Sequence, residues 1–376
     1  MNTQAPIPVL VPFMPQIDAV LPYLQRIDAS QRYTNFGPLC LELEARFRTL
    51  LATDGKEPYV CSAANATLGL EIALIALDLK PRAQVLMPAL TFVATATSAL
   101  RAGCEPVFGD VDLQTWQLTP ALARRYCALH PIDCVMPVAT YGTPLDIEAW
   151  DAFSRDTGIP VLIDAAGALG NQGLGKRCHI VYSLHATKAM SSVEGSMVAS
   201  HDQGFIEGVR RLSNFGIDLD SGRIDIAGTN AKLSEYHAAV GLASLDVWGE
   251  TQSKRREAWR QQRQMLTRQV PTLTWQQGSV GHVHTLMPVL VPDSTNSSAV
   301  RPALAKCGVE TRAWYCPPLP QQPAFSRCRR LGDLSATYHI GQQLVGLPFH
   351  PQLTEAQLLH VADALAQVLR QAEGMV

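Results

Sequence analysis

The sequence predicts an α/β fold, with a large unit built on a mainly parallel seven-stranded sheet between helices and a smaller C-terminal α+β unit. Three observations carry this. Between about residues 58 and 200, short apolar runs alternate with helical ones. The runs are apolar throughout, as strands are when helices cover both faces of a parallel sheet. After residue 230 the alternation stops and a strongly charged helix leads into a different pattern.

The elements follow in order. "PYVCS" (58–62) precedes the helix "TLGLEIALIALDL", and "AQVLMP" precedes "TFVATATSALRAG". Then come "EPVFGDV", "DCVMPVA", "IPVLIDAA", "HIVYSL" and a last strand "SMVAS". "SEYHAAVGLASLDVW" reads as a helix opened by Ser234, and "ETQSKRREAWRQQRQMLTRQ" as a solvated helix. "VHTLMPVLV" looks like a strand of the second unit. Thr354 and Gln357 form a capping box for "EAQLLHVADALAQVLRQ". The expected division is 1–250 and 251–376, falling within helix, with the segment before residue 50 packed across both units.

The 376 residues are 47% hydrophobic and 17% charged, enough for a large core. A net charge of −2 offers no electrostatic attraction to nucleic acid or to an anionic membrane. The first residues lack a basic n-region, which argues against a signal peptide, and no apolar run is long enough to span a bilayer. Nine scattered cysteines without a CxxC pair fit reduced thiols in a cytoplasm. "HVH" (282–284) puts two imidazoles close together, but with no third ligand no metal site is expected.

Open parallel sheets bind ligands beyond the carboxyl ends of their strands. Four features fall there. "SAANAT" (62–67) turns directly into a helix, either capping it or offering Ala66 N–H and the Thr67 hydroxyl to an anion. Asp164 ends an apolar strand, either as a helix N-cap or as partner to a buried cation. "YSLHATK" places Ser183 at a strand end and Lys188 24 residues after Asp164. Phe92, in "LTFVATA", suits a core or a stacked ring. Together they describe one ligand: a phosphate at 66–67 and Ser183, an aromatic ring on Phe92, a protonated ring nitrogen facing Asp164, and an aldehyde captured by Lys188. That ligand is pyridoxal 5'-phosphate (PLP).

With these motifs, and with "RYTNFGP", "GCEPVFGDVD", "GTNAKLSEYHAAVGLASLD", "TRAWYCPPL" and "LPFH", the chain resembles the DegT/DnrJ/EryC1/StrS sugar aminotransferases, PLP enzymes of fold type I. The resemblance runs nearly end to end. It implies that Lys188 carries the cofactor and that Asp164 partners the ring nitrogen. It places Ala66, Thr67 and Ser183 on the phosphate and Phe92 on the ring. Asn230 matches an asparagine that reaches the phosphate from a neighbouring subunit, which implies a homodimer. His185, Glu194, Lys232 and Tyr315 are substrate-side candidates. The implied reaction moves an amino group, with glutamate as donor, onto a nucleotide-linked keto-deoxysugar for polysaccharide or secondary-metabolite synthesis.

The chain departs from the family's usual pattern at Ala66, at Ala139 (where a histidine is usual), at Gly167 (glutamine or histidine) and at Pro320 (histidine). Ala66 keeps the backbone N–H that would bind, Gly167 gives up a side-chain contact to the cofactor ring or substrate, and the set leaves the cofactor core intact and bears on the substrate. Two other functions fit the same fold. Related sugar dehydratases carry histidine in place of the lysine, and Lys188 argues against that reading. A non-catalytic scaffold would draw its support from the departures alone.

Overall fold

The computed structural model describes residues 5–218 and 221–373. Residues 1–4, part of the segment considered for a signal peptide, lie outside the described residues. In chain order the strands are β1 Tyr59–Ala63, β2 Gln84–Pro88, β3 Glu105–Gly109, β4 Cys134–Val135, β5 Leu162–Asp164, β6 His179–Ser183, β7 Ser196–Ser200, β8 Met287–Leu290, β9 Arg329–Arg330 and β10 Leu344–Leu347.

The first seven strands form the expected sheet. Hydrogen-bonded order runs β1-β7-β6-β5 and β4-β2-β3, and the Val135–Val161 and Val138–Asp164 bridges join the two parts. Only β7 runs against its neighbours. The run "DCVMPVA" yields only two residues of regular ladder because Pro137 has no N–H to donate. Its carbonyl still accepts from Asp164 N–H at 3.0 Å, which fixes the end of β5. β9 adds an eighth strand at the edge, parallel to β3, with Leu331 N–H donating to Phe108 O at 2.9 Å.

Helices pack over the sheet. Ala66–Ala76 is capped by the Asn65 side chain, which accepts from Leu68 N–H. It stops three residues before the expected end, where Asp78 turns to φ 48°. Ser234 caps Glu235–Asp246 as expected, and Trp248–Gln269 runs through the expected boundary. Thr354 and Gln357 exchange both bonds of the capping box.

Beyond it, β8 and β10 form a separate antiparallel pair over a core that includes Trp259, Leu304, Val345 and Leu365. Ile7 belongs to this core. Its N–H donates to Gly308 O, and its carbonyl accepts from Glu310 N–H. The strand expected over 283–291 starts only at Met287. Upstream, Val283 gives both backbone groups to the Asn171 side chain instead of to a ladder. His284 is buried there, stacked on Trp259 at 4.7 Å. Among the described residues no group of three or more His, Cys, Asp or Glu could hold a metal ion, and no helix is long and apolar enough to cross a membrane.

Candidate active site

A cavity of about 1060 Å³ opens at the carboxyl ends of the parallel strands. Ala66 and Thr67 follow β1, Phe92 follows β2, and Val138 and Ala139 follow β4. Asp164 ends β5, Ser183 ends β6, and Lys188 stands in the turn beyond it. The rim is made by Val9, Leu10 and Pro12 from the early segment and by Glu310, Arg312, Trp314 and Tyr315 from the second unit.

Asp164 is 4% exposed. Its Oδ2 accepts from the Thr95 hydroxyl at 2.7 Å and its Oδ1 from Ala166 N–H at 3.1 Å. Burial raises its pKa above the usual carboxylate value. The Thr95 bond opposes this most, then Ala166 N–H, then the charge of Lys188. Lys188 shows the mirror image, with burial lowering its pKa and Asp164 resisting. Each senses the other's charge, yet they form no ion pair. A buried carboxylate thus meets two neutral donors and faces a lysine across open space.

The anion cradle is equally incomplete. Nothing among the described residues accepts from the N–H groups of Ala66 and Thr67, the first two of their helix. The Ser183 hydroxyl, buried at the end of β6, accepts a long bond from His185 N–H at 3.3 Å. Phe92 is 56% exposed and tilts toward Tyr315 with ring centroids 5.9 Å apart. Tyr315 stacks flat on Tyr141 at 5.0 Å, and Tyr141 donates its hydroxyl to Trp314 O at 2.8 Å.

His185 and Glu194 line the cavity, with 3.5 Å between Nε2 and Oε1, and His185 Nδ1 lies 2.9 Å from the Thr187 hydroxyl. Two of the named residues do not line this chain's own cavity, and for Asn230, read as serving the neighbouring subunit, that is the expected place. Lys232 does not line the cavity; its amine is buried, with no hydrogen-bond partner among the described residues, 4.4 Å from the centre of the Phe215 ring. Asn230 is exposed and outside the cavity, although Ala231 O accepts from Ala64 N–H just beyond β1.

Of the departures, Ala139 and Gly167 face the cavity and Pro320 does not. A Cβ on Gly167 would come no nearer than 3.5 Å to its surroundings, so crowding does not demand glycine there. Sequence reasoning missed Thr95, Thr91, Glu310 and Arg312. Thr95 had a faint signal: a hydroxyl one turn beyond Phe92, facing the strand ends.

These residues fit PLP. The carboxylate lacks a cation, the helix start lacks an anion, and the lysine amine is desolvated and unpaired. Asp164 would hold the ring nitrogen; Ala66, Thr67 and Ser183 would hold the phosphate.

The sequence profile of the DegT/DnrJ/EryC1/StrS aminotransferase family matches residues 16–366. The chain belongs to this family. It is a PLP-dependent aminotransferase of fold type I. It is 28% identical to a dTDP-4-amino-4,6-dideoxy-D-glucose transaminase of Shigella dysenteriae, over 97% of this chain and all of the other. It is 29% identical to a UDP-2-acetamido-2-deoxy-3-oxo-D-glucuronate aminotransferase of Pseudomonas aeruginosa, over 91% of this chain and 94% of the other. The solved structure of DesI, determined in the presence of its TDP-sugar product, superposes with a TM-score of 0.86 at 28% identity, over 99% of this chain and 95% of DesI.

Proposed function

We propose that this family member is a cytoplasmic homodimer that moves the amino group of glutamate onto a nucleotide-linked keto-deoxysugar destined for a polysaccharide or secondary metabolite. The observation that carries the proposal is the pairing of a desolvated lysine with a buried, cation-less carboxylate across one cavity. The Shigella and Pseudomonas relatives, both named for nucleotide-linked sugars, support the substrate class.

When bound, PLP supplies an aldehyde that holds an amino group and a ring that stores electron density. The protein supplies the rest. Asp164, ionised, favours a protonated ring nitrogen. Lys188 Nζ, its pKa lowered by burial, would accept the proton from the amino donor's Cα and return it to the cofactor's former aldehyde carbon, across the amino nitrogen, as general base and then acid. The helix start at Ala66–Thr67 and the Ser183 hydroxyl anchor the phosphate. Phe92 covers the ring. His185, Glu194 and Tyr315 stand where the sugar would enter.

The test uses purified protein, glutamate and a panel of nucleotide-linked keto-sugars. Glutamate alone should bleach the cofactor absorbance, and one keto-sugar should restore it with an amino-sugar product. A cofactor-loaded protein that answers no amino donor would refute the proposal and favour the scaffold reading.

Asn230 of the partner subunit would complete the phosphate site. The proximity of Ala231 to Ala64 gives this asparagine a competing destination in its own chain. Mixing Lys188→Ala with Asn230→Asp protein decides between them. A shared site predicts recovery of one intact site per mixed dimer. No recovery after confirmed subunit exchange would place the asparagine's role within its own chain.

A further inference from the structure

We infer that Thr91 and Thr95 are positioning residues, whose hydroxyls form a one-way donor chain that keeps Asp164 ionised toward the cofactor's ring nitrogen. The inference rests on the role given to Asp164 above.

The geometry is a short buried line. Thr91 Oγ1 lies 2.8 Å from Thr95 Oγ1, which lies 2.7 Å from Asp164 Oδ2. Both threonines are fully buried at 0% exposure, so water does not complete their bonding. Each hydroxyl has one proton, which leaves two possible orders. In the first, Thr91 donates to Thr95 and Thr95 to an ionised Asp164, and every contact is a hydrogen bond. In the second, a protonated Asp164 donates to Thr95 and Thr95 to Thr91. The Thr91 proton then has no acceptor among the described residues. A buried donor without an acceptor is costly, so the first order wins. Aligned hydroxyls also polarise one another, so Thr91 strengthens the bond Thr95 makes.

The direction of the chain aims a proton at Oδ2, and Ala166 N–H aims one at Oδ1, so both contacts favour the ionised carboxylate, which accepts more strongly than the neutral acid. Oδ2 takes the Thr95 proton and Oδ1 takes Ala166 N–H, and each oxygen keeps a lone pair for a further donor. The other titratable groups facing Asp164 are Lys188 and Tyr315. Lys188 favours the ionised carboxylate from a distance, and Tyr315 is held neutral by burial. Thr95 is the one side chain in contact that favours the ionised form.

The test compares the affinity of full-length protein, stripped of cofactor, for PLP and for 1-deazapyridoxal 5'-phosphate, whose ring carries CH in place of nitrogen. The quantity read is the ratio of the two affinities. Thr95→Val should lower that ratio about tenfold, the ordinary worth of one charge-assisted hydrogen bond. Thr91→Val should lower it by about twofold to threefold through the lost polarisation. Thr95→Ser should restore it. Asp164→Asn, measured alongside, should lower it further.

A Thr95→Val protein that weakens both ligands equally, or neither, would overturn the inference, because packing alone cannot sense the ring nitrogen. If Thr95→Val does not fold, Thr91→Val decides by the same ratio. If Asp164→Asn also leaves the ratio unchanged, the assignment of Asp164 falls too. If only the threonine variants leave it unchanged, the donor chain alone falls.

Discussion

Two buried carboxylates, one bonded to β1 and one at the end of β5, have opposite lives. Glu44, in the helix Pro38–Leu50, is 5% exposed and fully served. One oxygen accepts from Ser62 N–H and hydroxyl, each at 2.8 Å, and the other from Arg210 at 2.5 Å. Arg210 in turn donates to Val60 O and lies over the Phe36 ring. Asp164 is 4% exposed, is bonded to neutral donors and has no cation in contact. Burying a charge is unfavourable in both places. At Glu44 the chain supplies the counter-charge itself, and the result is a brace between helix, strand and helix. At Asp164 the counter-charge is left to the ligand, and the result is a binding site.

The largest effect should come from the residue that faces Asp164 across the gap. Lys188→Ala should cut turnover by at least about a thousandfold, as loss of a covalent catalytic group does. Borohydride reduction of cofactor-loaded wild-type protein should label Lys188 on peptide mapping. A label on another residue would break the comparison at its functional end.

Exchanging each acid for its amide should give crossed results. Asp164→Asn should lower turnover about tenfold to a hundredfold, since a charge-assisted bond to the ring is lost. It should leave the cofactor-free fold at least as stable as before. Glu44→Gln should do the reverse. Arg210 would be stranded, at a cost of about 3–5 kcal/mol in urea unfolding, while turnover per folded molecule stays near wild type. Parallel losses in both assays for both variants would mean that the two acids do the same job.

The smallest effect is in pH dependence. The folded pKa of Asp164 is raised, so its favourable contribution to the cofactor-free fold is present below the ordinary carboxylate pKa of about 4. That contribution is lost as pH rises through the raised folded value. The unfolding free energy of Asp164→Asn minus that of wild type should therefore grow as pH rises from about 4. A flat difference would show that Asp164 is not strained when the cofactor is absent.

The sequence made the seven main strands legible because each is an unbroken apolar run. It hid β9, whose two residues are exposed arginines with no apolar run to mark them. Asp164 and Lys188 were legible because a charge at the end of a buried strand is costly and needs a reason. Thr95 was not, because a threonine in a helix is ordinary and its acceptor lies 69 residues further on. Lys232 was named as a substrate-side candidate; within its own chain its amine rests on Phe215. Sequence marks a lysine readily and says little about the direction in which it points.

The bonds that tie Ile7 to Gly308 and Glu310 also order events in time. During synthesis, the strands and turns that form the cavity floor leave the ribosome by Ser200. The Val9–Pro12 rim cannot be fastened until Glu310 has followed. At about 5–20 residues per second that delay is on the order of ten seconds. Through this interval the floor can exist with its rim unfastened.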